Sequence, residues 1–162
     1  MDDELSQIET LYRETAPALL AYFRHQPALA GAAEDLLHDT FAHALRQLGR
    51  LRESITPRAY LFGIARHVGL DAFRKRHPAA ELPAEFPAPP VTPEDERLEP
   101  LRAALAALPE PHRETLLLKL RHDLTYAELA EVLAIPVGTV RSRLHHAVSL
   151  LRTTLNPPPH ES

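Results

Sequence analysis

The chain of 162 residues contains no cysteine, which excludes disulfides and thiolate metal sites. No apolar run approaches the roughly 20 residues needed to cross a bilayer. The start, Met1-Asp2-Asp3-Glu4, is acidic, where a signal peptide would be basic and then apolar. A reducing cytoplasm is the expected compartment. Glycine is scarce, at 5 residues against 16 prolines. Positive charge is not in excess either. Lys and Arg number 18 against 22 Asp and Glu, for a net charge of −4 and a pI near 6.2. That balance argues at first sight against binding nucleic acid. What is present is an ordinary globular composition, 44% hydrophobic and 25% charged, too apolar for wholesale disorder. The length fits one domain or two small ones.

The prolines and the acids are not spread evenly. Pro78, Pro83, Pro87, Pro89, Pro90, Pro93 and Pro100 fall in residues 77–100, together with six acids and the single base Arg97. Proline has no amide donor and disfavours helix at the residue before it, so this stretch is expected to be extended or irregular. Residues 1–76 hold ten acids and ten bases, and residues 101–162 hold six acids and seven bases. The acidity thus belongs to a tether. The expected fold is all-α: an N-terminal helical domain over 1–76, an acidic Pro-rich linker over 77–100, a C-terminal helix-turn-helix domain over 101–155 and a disordered tail over 156–162.

Helical periodicity places the elements. Leu5, Ile8, Tyr12, Leu19 and Tyr22 mark a first helix; Leu36, Leu37, Phe41, Ala44, Leu45 and Leu48 mark a second. A third opens at Thr56-Pro57, an N-cap followed by proline at the first helical position. Its stripe runs through Leu61, Ile64, Ala65, Val68 and Ala72, and it closes on Arg74-Lys75-Arg76, cations suited to a helix C-terminus. After the linker, helices are expected over 101–107, 111–122, 125–133 and 137–154. Thr125 and Glu128 make a capping box. No strand alternation and no repeat persists.

The pair 125–133 and 137–154, joined by Ala134-Ile135-Pro136, has helix-turn-helix spacing. Leu129, Val132, Leu133, Ile135, Val140 and Leu144 form its expected core. The exposed start of the second helix carries Val137, Thr139, Arg141, Ser142, Arg143, His145 and His146. Arginine reads guanine or clamps phosphate, and hydroxyls and free amides at a helix start suit phosphate oxygens. A helical hairpin with a solvated arginine face is the plain alternative on spacing alone.

Longer motifs decide between them. Leu108-Pro109-Glu110-Pro111-His112-Arg113-Glu114, Leu124-Thr125-Tyr126-Ala127-Glu128-Leu129-Ala130 and Pro136-Val137-Gly138-Thr139-Val140-Arg141-Ser142-Arg143-Leu144-His145 resemble the C-terminal domain of bacterial extracytoplasmic-function (ECF) sigma factors. The family pattern is close to LPxxxRE…LSYxEIAxxLGISxGTVKSRLxRA. The resemblance implies that Thr125 and the 137–146 residues named above read the −35 promoter element. A separate match lies upstream. Ala33-Glu34-Asp35-Leu36-Leu37-His38-Asp39-Thr40-Phe41 resembles AEDLVQETF, the family's helix for docking on core RNA polymerase, and implies that Glu34, Asp35, His38 and Asp39 face the core. Arg58 to His67, continuing through Asp71-Ala72-Phe73-Arg74-Lys75-Arg76, resembles RAWLxxIARNxxxDxxRRR, which binds and melts the −10 element. Melting needs aromatics to stack on bases and cations to hold the strand, roles open to Tyr60, Arg66, His67, Arg74 and Lys75. The expected loop 49–56 sits where the family captures a flipped base, with Arg52, Glu53 and Ser54 to line it.

The chain departs from the pattern at His38, where glutamine is usual, at Ala134, where glycine is common, and at Pro136, which replaces an N-cap serine. If position 134 needs positive φ, alanine costs on the order of 1 kcal/mol. The expected partners are core RNA polymerase, promoter DNA and an anti-sigma factor or other signal-responsive regulator. No cofactor or metal is expected: the ten histidines show no ligand spacing, and the sequence offers no nucleophile–base pair or phosphate loop. The resemblance covers about residues 5–76 and 101–152. Two other readings stand beside it, a sigma-derived regulator that binds polymerase or an anti-sigma factor without initiating, and a free-standing helix-turn-helix regulator.

Overall fold

A computed structural model describes residues 2–77 and 96–159. Its helices are α1 (Asp2–Arg24), α2 (Ala33–Arg46), α3 (Leu48–Glu53), α4 (Pro57–Arg76), α5 (Glu99–Ala106), α6 (Glu110–His122), α7 (Tyr126–Leu133) and α8 (Val137–Leu155), with short 3₁₀ turns before α2 and α5. Among the described residues there is no strand, and no helix is long and apolar enough to cross a membrane.

The local signals act as their chemistry requires. The Thr56 hydroxyl accepts from the Ala59 amide, Pro57 occupies the first turn, and three cations fill the last turn of α4. Thr125 and Glu128 complete their capping box with bonds in both directions. Asp2, Asp3 and Glu4 fill the first turn of α1, where carboxylates suit the helix dipole.

Four expectations are corrected. Residues 49–56 are not a loop throughout: α3 spans Leu48–Glu53, and Leu48 begins it rather than closing α2. At six residues α3 is too short to show a helical period in sequence. The last part of the 77–100 stretch is helical, with a 3₁₀ turn at Glu96–Leu98 and Pro100 in the first turn of α5. Proline is tolerated there because that amide has no intrahelical partner in any case. The rest of the linker, 78–95, lies outside the described residues, as does His160–Ser162 of the expected tail; Pro157–Pro159 is exposed and without regular structure. Finally, Leu5 and Leu45, expected on inward faces, are 63% and 47% exposed.

α4 is the organising element. It packs on α1, α2 and α3 on one side and on α7 on the other. This explains why Ala59, Phe62, Gly69 and Phe73 are buried beside the expected Leu61, Ile64 and Ala65. A helix covered on two faces buries adjacent residues, and a single stripe captures only half of it. A Cβ added at Gly63 would lie 3.9 Å from the Val132 backbone, in ordinary contact. The buried apolar residues form one continuous cluster running from Leu19 through Phe62 and Leu129 to Ala147. The N-terminal and C-terminal helices therefore share a core.

Candidate nucleic-acid interface

The helix-turn-helix is built around Leu129, Val132, Leu133, Val140, Leu144 and Ala147, all buried. Ile135 is half-buried beside them. The turn closes through Ala134, which is left-handed at φ 54° and ψ 47°, and its amide donates back to Ala130 and Glu131 carbonyls. Pro136 caps α8 with extended backbone and no side-chain bond. Along α8, the buried series Val140, Leu144, Ala147 leaves Arg141, Ser142, His145 and His146 exposed on the other side, with Thr139 and Arg143 half-buried between; Val137 is exposed at the helix start, in line with Leu144. These are the residues named for −35 recognition, and they lie on one helix start with its free amides. Thr125 is exposed, but its hydroxyl is committed to the Glu128 amide. The fold also brings His112 of α6 beside α8, with its ring 5.7 Å from that of His146. Its Nδ1 is buried without a partner, and burial, with His146 and Arg143 nearby, lowers its pKa.

On α2, Glu34, Asp35, His38 and Asp39 are all exposed, while Leu36, Leu37, Thr40 and Phe41 face the core. Glu34 lies 3.7 Å from Arg24. Beside His38 runs an apolar groove between α1 and α2, walled by Leu5, Ile8, Tyr12, Phe41 and Leu45. This groove is invisible in sequence, since it needs the two helices side by side.

The residues named for the −10 element are less uniformly available. Arg74 and Lys75 are exposed at the end of α4, with Arg74 3.7 Å from Asp71. His67 is exposed and 3.6 Å from the same carboxylate. Tyr60 is half-buried and its hydroxyl donates to Gln47 Oε1 at 3.3 Å. Arg52 is paired with Glu4 of α1, and Glu53 is exposed. The Ser54 hydroxyl lies within bonding distance of the Leu51 and Thr56 carbonyls. Arg66 is held by Glu114 of α6.

Two residues that the sequence reading leaves out of the candidate sites, Glu128 and Arg58, dominate the junction of the halves. Glu128 has a side chain 2% exposed. Its Oε2 accepts from Thr56 Oγ1 at 2.6 Å and Arg58 Nε at 2.7 Å. Its Oε1 accepts from Arg58 Nη2 at 2.6 Å and the Thr125 amide at 3.0 Å. Arg58 also donates to the Asp123 carbonyl at 3.2 Å. The Arg58 guanidinium is the largest influence holding Glu128 down at about 2, aided by Thr56 and the Thr125 amide. The capping box accounts only for the Thr125 amide on Oε1; both oxygens also reach 70 residues back along the chain to Arg58. Next to this node, Phe62 packs on His122 with ring centroids 4.7 Å apart. Burial, with His25, Arg121 and Arg58 nearby, lowers the His122 pKa to about 4, so the ring packs as a neutral group.

The matches to known proteins divide along the same line. Residues 11–78 match the family model of sigma-70 region 2, and residues 98–151 match that of sigma-70 region 4. The chain is 30% identical over 150 residues to RNA polymerase sigma factor YlaC of Bacillus subtilis, covering 86% of this chain and 87% of the relative. It is 31% identical over 161 residues to ECF RNA polymerase sigma factor SigL of Mycobacterium tuberculosis, covering 94% and 90%. Among solved structures, CnrH in complex with the cytosolic domain of CnrY aligns with a TM-score of 0.60 and 25% identity, over 92% of this chain and 87% of that one. The sigma factor RpoE in complex with the anti-sigma factor NepR from Bartonella quintana aligns at 0.63 and 22% identity, over 97% and 99%, a likeness of fold.

Proposed function

The chain belongs to the ECF RNA polymerase sigma factors, and on that footing we propose how its residues divide the work. It directs core RNA polymerase to promoters and starts transcription there. The observation that carries the residue assignment is the start of α8. Val140 and Leu144 anchor the helix in the core, and Arg141, Ser142, His145 and His146 stand exposed on the other side. That is the disposition a recognition helix needs to lay its first turns in the major groove. Arg141 and Arg143 supply the guanine or phosphate contacts to the −35 element.

The exposed face of α2, with Glu34, Asp35, His38 and Asp39, docks on the core enzyme, and the apolar groove beside His38 extends that face with Leu5, Tyr12 and Leu45. Arg52, Glu53 and Ser54 line the approach to α4, and Tyr60, Arg66, His67, Arg74 and Lys75 bind and stack the opened −10 strand. The N-terminal domain spans 1–76 and the C-terminal domain runs from the 3₁₀ turn at Glu96–Leu98 and α5 through α8, with the acidic stretch between them passing through the core enzyme. An anti-sigma factor or another signal-responsive partner restrains the protein. It carries no chemistry of its own and works in the cytoplasm, where its polymerase is.

The test is transcription by core polymerase reconstituted with this chain. Arg141→Ala and Arg143→Ala should each lower initiation at promoters that depend on a −35 element about tenfold, the effect of a lost bidentate contact of 1–3 kcal/mol, with core association intact. Asp35→Ala should do the opposite, weakening core association. Equal loss of core binding in the arginine variants would overturn the division. Core binding without promoter-specific transcripts would make the chain a sigma-derived regulator instead.

A further inference from the structure

The −35 face carries more imidazole than guanidinium. His146 stands where the family pattern GTVKSRLxRA has arginine, and His145 precedes it, both exposed on α8. Arg143 and His146 are three positions apart, so they lie on one flank of the helix. His112 of α6 joins that flank: its ring lies 5.7 Å from that of His146, which lies 6.5 Å from that of His145. The charges acting on His112 are those of His146 and Arg143, which with burial favour its neutral form. The helices packed against α8 are α5, α6 and α7. Among their charged groups, Glu99 pairs with Arg102, Glu114 with Arg66 and Glu128 with Arg58. Arg113 and Lys119 donate to the Ala106 and Leu124 carbonyls. Arg121 is exposed near the end of α6, and Glu110 is exposed two positions before His112, on another face of that helix. Glu131 of α7 has one carboxylate oxygen buried without a hydrogen-bond partner.

We propose that His112, His145 and His146 form a proton-linked phosphate site on the −35 face, in which imidazolium N–H groups hold the duplex backbone that the pattern's arginine would hold at every pH. This site deepens the −35 reading of α8 above, on which it rests, by adding His112 of α6 to the duplex face. Arginine is always charged, whereas histidine gains its charge between pH 8 and 5. A recognition helix in the major groove has a phosphate row along each flank, and contacts there fix register without reading bases. An arriving phosphate neutralises the cations beside His112 and removes what keeps that ring uncharged. The complex therefore holds more protons than the free chain and free duplex, and by linkage affinity rises as pH falls.

The test is fluorescence anisotropy of a fluorescein-labelled duplex of mixed sequence, roughly 25 base pairs long, titrated with the full chain at about 25 mM salt, where phosphate contacts alone carry binding. The dissociation constant should fall about fivefold or more from pH 7.5 to pH 6.0. The slope of log affinity against log salt should steepen by about one at the lower pH, the mark of one more phosphate held. His146→Arg should bind at pH 7.5 about as tightly as the parent does at pH 6.0, with a smaller pH response. His112→Gln/His145→Gln/His146→Gln should lose the response. His43→Gln/His77→Gln removes two imidazoles outside every assigned site and should keep it. A parent that binds equally at both pH values, a triple variant that keeps the response, or a control that loses it, overturns the proposal. Circular dichroism at both pH values checks the fold; if the triple variant has lost helicity, H145Q/H146Q, at two exposed positions, is read in its place. Promoter-specific transcription by the wild-type holoenzyme tests the functional reading separately. Absent transcripts beside an intact pH response would leave a proton-linked duplex site without a −35 role, and transcripts without a pH response would retire the site alone.

Discussion

Ala134 holds a left-handed backbone at φ 54° with a Cβ that this region penalises. It does so because the turn between α7 and α8 must close in three residues, and the surrounding core over-determines it. Ala134→Gly removes the strain but adds freedom to the unfolded chain. The net expectation is a gain of about 1 kcal/mol, seen as a higher urea midpoint with an unchanged slope. No gain would mean the turn is relaxed with alanine. Arg58 is the opposite case. Arg58→Ala leaves Glu128 charged and buried with only Thr56 and the Thr125 amide to satisfy it. Breaking one side of a buried pair costs on the order of 3 kcal/mol, a large share of a small domain's stability. Arg13→Ala, which removes an exposed pair with Glu9, should cost well under about 1 kcal/mol in the same unfolding experiment.

The elements decide how acid acts on the molecule. Glu128 lies far below its ordinary pKa, at about 2. Its contribution is complete above the unfolded value near 4.5 and is lost as pH falls toward 2, a difference of roughly 3 kcal/mol. His122 is also depressed, to about 4. The stability tied to its neutral, buried ring is complete above about 6.5, its unfolded value, and is lost as pH falls to 4. Thermal unfolding followed from pH 7 to pH 2 should therefore weaken in two windows, first 6.5 to 4 and then 4.5 to 2. His122→Phe should shrink the first, leaving the share of His25 and His112, whose pKa values are also lowered, and Glu128→Gln should flatten the second. A single acid window, unchanged by either substitution, would show that the junction between α4, α6 and α7 is not what titrates.

Element boundaries also show where sequence is and is not enough. Thr56-Pro57, Arg74-Lys75-Arg76 and the Thr125–Glu128 box delimit α4 and open α7, because caps and dipole charges act within one turn of chain. α3 escapes such reading because six residues carry no period, and the inward placement of Leu5 and Leu45 fails because both line an open groove between α1 and α2. The face of α8 is legible from the spacing of Val140 and Leu144; Ala147, buried one turn further on, lies outside the expected core. The Arg58–Glu128 node is not: each residue has a sufficient local explanation, one in a helix's first turn and one as a cap, and only tertiary packing joins them.

For the whole molecule, the net charge of −4 is a sum over parts that do different things. The 77–100 segment carries six acids and one base, and the two helical portions together are nearly neutral. Halves this weakly basic release few counterions on DNA, and in the compact chain two of their arginines are already occupied. The free chain should bind promoter duplex poorly, and the holoenzyme well. The N-terminal and C-terminal portions are separate in sequence motif yet share a core, since burying α4 on both sides removes more apolar surface from water than either half could alone. Sequencing the 5′ ends of transcripts made by core polymerase reconstituted with this chain tests the account most directly. Starts should cluster at a small set of sites that share two upstream elements at −35 and −10. Starts scattered as with core enzyme alone, despite stable association of the chain with the core, would contradict it.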